Sequence, residues 1–208
     1  MTKTQDKKWL KTTPEIFWAE VAPCDHILQI YENDESIVAA LSQFIISGFE
    51  TNESVVIVAT YEHLVTLDAL LLIKGYNLQE LKNKSRYLTF EANDLLSKFM
   101  VDGWPDEGLF FKAVTEIIKK VKNNNKVRVY GEMVAILWAQ GHSGATVRLE
   151  HLWTKLCRQE EFMLFCAYPK IGFTQDITTS INHICSAHNK MISGEVNVDA
   201  GVLQYKNL

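Results

Sequence analysis

Val55-Val-Ile-Val-Ala59 is an unbroken apolar run. A strand with one wet face alternates apolar and polar residues, so a continuous run belongs to a strand covered on both faces. Thr60, directly after it, occupies a good N-cap position, and Gly75 stops the helix that would run to Lys74. Strand, cap, helix and stop together make half of a βαβ unit.

The same alternation extends in both directions. His26–Tyr31 predicts a strand, and Asp34 or Ser36 can cap a helix ending near Gly48. Tyr87–Glu91 predicts a third strand, followed by a short helix capped by Asn93 and ending near Val101. Asp102–Asp106 reads as a loop, with Pro105 near the start of a helix to about Lys122. Asn123–Asn125 is a turn, Val127–Tyr130 a fourth strand, and Val134–Ala139 and Thr146–Gln159 are helical segments broken at Gly141 and Gly144. Phe162–Ala167 is a fifth strand, and Gln175–Asn189 predicts a last helix. Five apolar strands separated by helices imply an α/β three-layer sandwich around a mostly parallel sheet.

The chain has 208 residues, which suits one domain. We expect an N-terminal appendage over 1–21, with Trp9, Phe17 and Trp18 able to dock on the body or a partner, a domain over 22–192 and a tail over 193–208 that either adds a strand or is loosely held. Hydrophobic residues at 47% and charged residues at 22% supply a full core. A net charge of -4 without a basic stripe argues against nucleic-acid binding. From the polar start no secretory leader is expected, and no apolar stretch approaches bilayer length. Cys24, Cys157, Cys166 and Cys185 form no CxxC pair and read as reduced thiols, so a cytoplasmic setting is expected.

Ligands of an open parallel sheet sit beyond the C-terminal strand ends. Those ends here carry Tyr31 and Asp34, Thr60 and His63, Glu91 and Asn93, Glu132, and Tyr168. Asp34, Thr60 and Asn93 are also ordinary capping residues. Glu132 differs, because it joins an apolar strand to the apolar helix Met133–Ala139; a carboxylate there should be partly buried and paired.

With this layout the chain resembles the MEDS sensory domain, named for methanogens, methylotrophs and a dichloromethane-responsive regulator. The marks are His26–Tyr31, Phe44–Phe49, Val55–Thr60 with His63, Phe99–Gly103 with Pro105-Asp106, Val129–Val134 with Leu137–Ala139, Arg148–Glu150 with Leu152-Trp153, Cys166–Pro169, and Ile184-Cys185 with His188. The resemblance implies a sensory module for small hydrocarbon derivatives, linked to histidine kinases or transcription regulators. It also implies a RecA/KaiC-like core of the P-loop NTPase kind. Such ATPases hold phosphate in a glycine-rich loop ending in Gly-Lys-Thr/Ser after the first strand. Here that place reads Tyr31-Glu-Asn-Asp-Glu-Ser-Ile37, with no glycine and no lysine, so the phosphate-binding loop is expected to be missing and the chain not to be an enzyme. Neither a kinase nor a DNA-binding segment is recognisable, so output would pass to a separate partner or through self-association.

The residues expected to contact a small organic ligand are His26, Tyr31, Asp34, Thr60, His63, Glu132, Trp138, Arg148, Glu150 and Tyr168. The match to the family supports His26; Arg148 is expected to pair with a strand-end acid such as Glu132. Trp104, Trp138, Trp153 and Phe99 are core candidates able to line an apolar pocket. His63 and His151 are expected to be half-exposed. Cys24, His26, Cys185 and His188 are suitable metal-ligand types, but their spacings match no known finger or ribbon, and no metal or cofactor is assigned. Cys166, inside an apolar strand, reads as inert. The alternative to a sensor is a ligand-free interaction or oligomerisation module on a degenerate RecA-like scaffold.

Overall fold

The computed structural model describes residue 18 and residues 22–122, 125–172, 184, 187–192 and 203–204. Its elements are β1 (His26–Tyr31), α1 (Asp34–Glu50), β2 (Ser54–Ala59), α2 (Tyr61–Ile73), α3 (Leu78–Asn83), β3 (Tyr87–Glu91), α4 (Ala92–Ser97), β4 (Met100–Val101), β5 (Trp104–Pro105), α5 (Glu107–Lys122), β6 (Val127–Gly131), α6 (Met133–Ala139), α7 (Ser143–Glu160), β7 (Met163–Pro169), β8 (Lys190–Ile192) and β9 (Leu203–Gln204).

The main sheet has the order β3-β2-β6-β7-β1-β8-β9. Every pairing in it is parallel except that of β8 with β9. One face packs on α1, α2 and α3 and the other on α4 to α7, giving the expected three layers. All six residues of β2 are buried, as its unbroken apolar run requires. After β1 and β2 the chain moves toward the β3 edge over one face; after β3, β6 and β7 it moves back over the other. The connections therefore diverge at two places, between β2 and β6 and between β7 and β1. Such divergence opens a crevice beyond the strand ends.

Several local expectations change. The cap of α1 is Asn33, whose side chain accepts from the Ser36 amide, not Asp34 or Ser36. Thr60 stands at the N-cap of α2, but its side chain makes no capping bond. Glu91, not Asn93, caps α4 and accepts from the Asp94 amide at 2.8 Å. The supposed loop 102–106 is a hairpin of β4 and β5, turned by Asp102 and Gly103 at φ of 48° and 80°. The next helix accordingly starts at Glu107, with Asp106 accepting from the Leu109 amide. Trp104 leaves the core and is 56% exposed. Its ring lies on the first turn of α7, where a Cβ at Gly144 would come within 2.9 Å of it, so glycine here permits contact rather than breaking the helix. The helix expected over 175–189 lies largely outside the described residues, as do Trp9, Phe17, His183 and Cys185.

Trp18 does dock on the body. It is 1% exposed and meets Phe44 and Phe165 at ring-centroid distances of 5.1 and 5.2 Å. Beside it lies Arg128 of β6, also 1% exposed. Its guanidinium pairs with Glu53 and donates to the Phe44 and Trp18 carbonyls. Removing one partner of a buried ion pair strands the other's charge. Arg128→Ala is therefore expected to lower unfolding stability by about 3–5 kcal/mol in chemical denaturation; a loss below about 1 kcal/mol would show the pair to be a surface-like contact.

Candidate functional site

The first constellation stands where β2 and β6 diverge. β2 ends at Ala59 and β6 at Gly131, so Thr60 and Glu132 emerge side by side. Glu132 is 4% exposed, as expected for a carboxylate between an apolar strand and an apolar helix. One oxygen accepts the Thr60 amide at 2.7 Å, and the other accepts His63 Nδ1–H at 2.8 Å. The carboxylate thus takes up a free amide at the start of α2 and ties that helix to β6.

His63 sits on the inward face of α2 and is buried, not half-exposed. Its Nε2 faces the Asp34 carboxylate at 3.8 Å, and Asp34 is 83% exposed. The hydrogen bond that His63 donates to Glu132 raises its pKa above the usual 6.5, against the opposing effect of burial. Tyr31 closes the inner side; burial, then Glu132 and Asp34, push its hydroxyl pKa upward. The group offers a carboxylate, an imidazole and a phenol at the C-terminal strand ends, with the exposed Asp34 carboxylate beside them.

The second constellation lies under α7, against β1 and β7. Glu150 (1% exposed) accepts from the Tyr168 hydroxyl, and the Tyr168 ring meets Trp138 edge-on at 6.3 Å. His26 Nε2 is 3.3 Å from Glu150 Oε2 and 3.4 Å from Cys166 Sγ. His188 Nε2 is 3.6 Å from the same Glu150 oxygen. Burial lowers the His26 pKa to about 3 and that of His188 to about 4, and raises Glu150 and Cys166. Sequence reasoning named His26, Glu150 and Tyr168 but treated Cys166 as inert. His188 entered with the family marks and the metal-ligand types; its spacing does not reveal that it meets Glu150 of α7.

Arg148 belongs to neither group. It faces outward on α7 and pairs with Glu107 of α5 at 2.8 Å, not with Glu132. Glu150, two residues on, points the opposite way, as helix geometry demands. Cys24 also stays outside the second group, its thiol directed to the Cys157 carbonyl at 3.7 Å.

The turn after β1 is short, with Glu32 and Asn33 alone between strand and helix. Asn33 Oδ1 accepts the Ser36 amide at 2.9 Å, and its carbonyl accepts the Ser36 hydroxyl at 2.7 Å. The helix terminus is thus capped from within.

The raised His63 pKa has a definite sign in stability. Protonated His63 is favoured by the fold, so its contribution is complete below the unfolded value of 6.5 and disappears as pH rises through the higher folded value. The melting-temperature gap between the native chain and His63→Gln should be wider near pH ~6 than near pH ~9. An equal gap at both would contradict the charged pair.

A crystal structure of a KaiC-like protein from the hyperthermophilic archaeon Pyrococcus horikoshii superposes with a TM-score of 0.57 and 13% identity, covering 82% of this chain and 72% of that one. This likeness establishes the RecA/KaiC-like fold. Among curated proteins, no match is found. No helix among the described residues is long and apolar enough to cross a membrane. The model of the methanogen/methylotroph, DcmR sensory domain matches residues 25–189, so the chain belongs to the MEDS sensory-domain family.

Proposed function

We propose that this chain is a sensory domain that binds a small organic molecule at the Glu132–His63 constellation and passes the occupied state to a partner protein. The observation that carries this reading is Glu132. It is a buried carboxylate held by Thr60 and His63 at a divergence point of the sheet, with the exposed carboxylate of Asp34 facing His63. A small ligand bearing one polar group would exchange hydrogen bonds with His63 or Tyr31 and set its carbon skeleton against the strand ends.

Helix α2 provides a route outward. His63 faces the site, while Tyr61, Val65 and Leu72 form an exposed stripe on the opposite side of the helix at 67%, 51% and 58% exposure. A partner such as a histidine kinase or a transcription regulator could read a shift of α2 there. The same stripe supports the second reading, a ligand-free association module.

The internal cap at Asn33 supports the loss of phosphate chemistry. Its side chain occupies an amide that a phosphate would need, and the turn brings Glu32, Asp34 and Glu35 instead of glycine and lysine. Calorimetry with ATP and magnesium should show no binding; a saturable heat would contradict this part of the reading.

A panel of one- to four-carbon alcohols, amines and chloroalkanes, read by thermal shift, tests the ligand site. At ~100 times its Kd a ligand adds about 2.7 kcal/mol of stability. The native chain should be stabilised by at least one class, and Glu132→Gln should lose the response. No response in the native chain, or an equal one in Glu132→Gln, would overturn the assignment.

A further inference from the structure

We propose that His26, Glu150, Cys166 and His188 form a binding site for one divalent transition-metal ion of the zinc class. Their candidate ligand atoms all lie within 4.8 Å of one another, and all four residues are buried. They come from four separate places, β1, α7, β7 and the segment before β8, so only the folded chain assembles them.

The spacing fits the metal. Bonds of about 2.0–2.3 Å arranged tetrahedrally put neighbouring ligand atoms about 3.3–3.6 Å apart. The separations of 3.4 Å from His26 Nε2 to Cys166 Sγ, and of 3.3 and 3.6 Å from the two imidazoles to Glu150 Oε2, fall at those values. Two nitrogens, one sulfur and one carboxylate oxygen are borderline-soft donors that suit zinc.

The imidazoles are already oriented for it. His26 Nδ1 donates to the Ala187 carbonyl at 3.0 Å, and His188 Nδ1 donates to the Ile184 carbonyl at 2.6 Å. Each ring therefore turns a bare Nε2 lone pair inward, the arrangement that metal-binding histidines adopt. Without an ion the His26 lone pair faces the Cys166 thiol, while that of His188 meets the Glu150 oxygen, which is itself an acceptor. Among the described residues, Glu150 Oε2 and His188 Nε2 are buried with no hydrogen-bond partner. Buried polar atoms left unmatched are costly, and a cation bound by all four would satisfy them together. The Tyr168 hydroxyl, donating to the other Glu150 oxygen, fixes the carboxylate.

There is also a path in. A cavity of about 260 Å³ is lined by Cys24, His26, Thr154, Cys157, Arg158 and His188, among others, and so reaches both imidazoles. On binding, the Cys166 S–H proton and any proton held by Glu150 leave to solvent, and the ion gains thiolate and carboxylate bonds. No redox step is involved.

This site is independent of the Glu132 reading and is tested with metal alone. The full chain, reduced and stripped with chelator, is titrated with cobalt(II) as an optical probe and then with zinc. The expected result is one ion per chain, with a thiolate-to-cobalt charge-transfer band and tetrahedral visible bands that zinc displaces. Cys166→Ser should lose the charge-transfer band with its far-ultraviolet dichroism unchanged. Glu150→Gln should bind at least about tenfold more weakly, while Cys24→Ser should behave as the native chain. Absence of cobalt bands and of zinc binding in the native chain would overturn the site, as would a charge-transfer band surviving in Cys166→Ser or vanishing in Cys24→Ser. A chain that answers the organic panel but binds no metal would remove this site and leave the Glu132 reading standing.

Discussion

The bond from the Thr60 amide to Glu132 joins the ends of two central strands that belong to different halves of the crossover pattern. It exists because a parallel sheet with helices on both faces leaves its polar side chains almost no water. Glu132, Arg128 and Glu150 must each find partners inside the protein, and each does so across long sequence separations. The interior is therefore pinned at a few charged points. One of those points, Glu132, coincides with a place where the chain's connections diverge.

The two constellations differ in kind. The group around Glu132 is charged and lies at the C-terminal strand ends, with the exposed Asp34 carboxylate beside it. The group around Glu150 is buried beneath α7 and holds its imidazoles neutral, with a cavity on one side that reaches them. In a nucleotide-binding relative of this fold the backbone of the first loop would carry the chemistry. In this chain that backbone is occupied by Asn33, and reactive side chains are concentrated elsewhere. On the proposed reading, the scaffold has moved from recognition by amides to recognition by side chains.

Much of this was legible in the sequence. The run at Val55–Ala59, with its cap and stop, correctly identified a doubly covered strand, and the strand ends located Glu132, Thr60, His63 and Asp34 together. What escaped depends on tertiary contact. Asn33 takes the cap from Asp34 because its side chain reaches the Ser36 amide, a choice that residue preference leaves open. Arg148 turns to Glu107 because it lies on the opposite side of α7 from Glu150. Cys166 reads as a buried hydrophobe until His26, one strand away, is seen to face it. His188 carries no local sign at all, since its partner on α7 is brought to it only by the folded sheet.

On the proposed reading, Glu132 and Thr60 sense the bound state. Amide NMR spectra, recorded while a stabilising alcohol, amine or chloroalkane is titrated into the native chain, test this directly. The account predicts that the Thr60 amide and the first turn of α2 shift most, in proportion to occupancy. A Thr60 signal that stays fixed while residues of the groove between α4 and α5, at Lys98, Lys112 and Glu116, respond would contradict it.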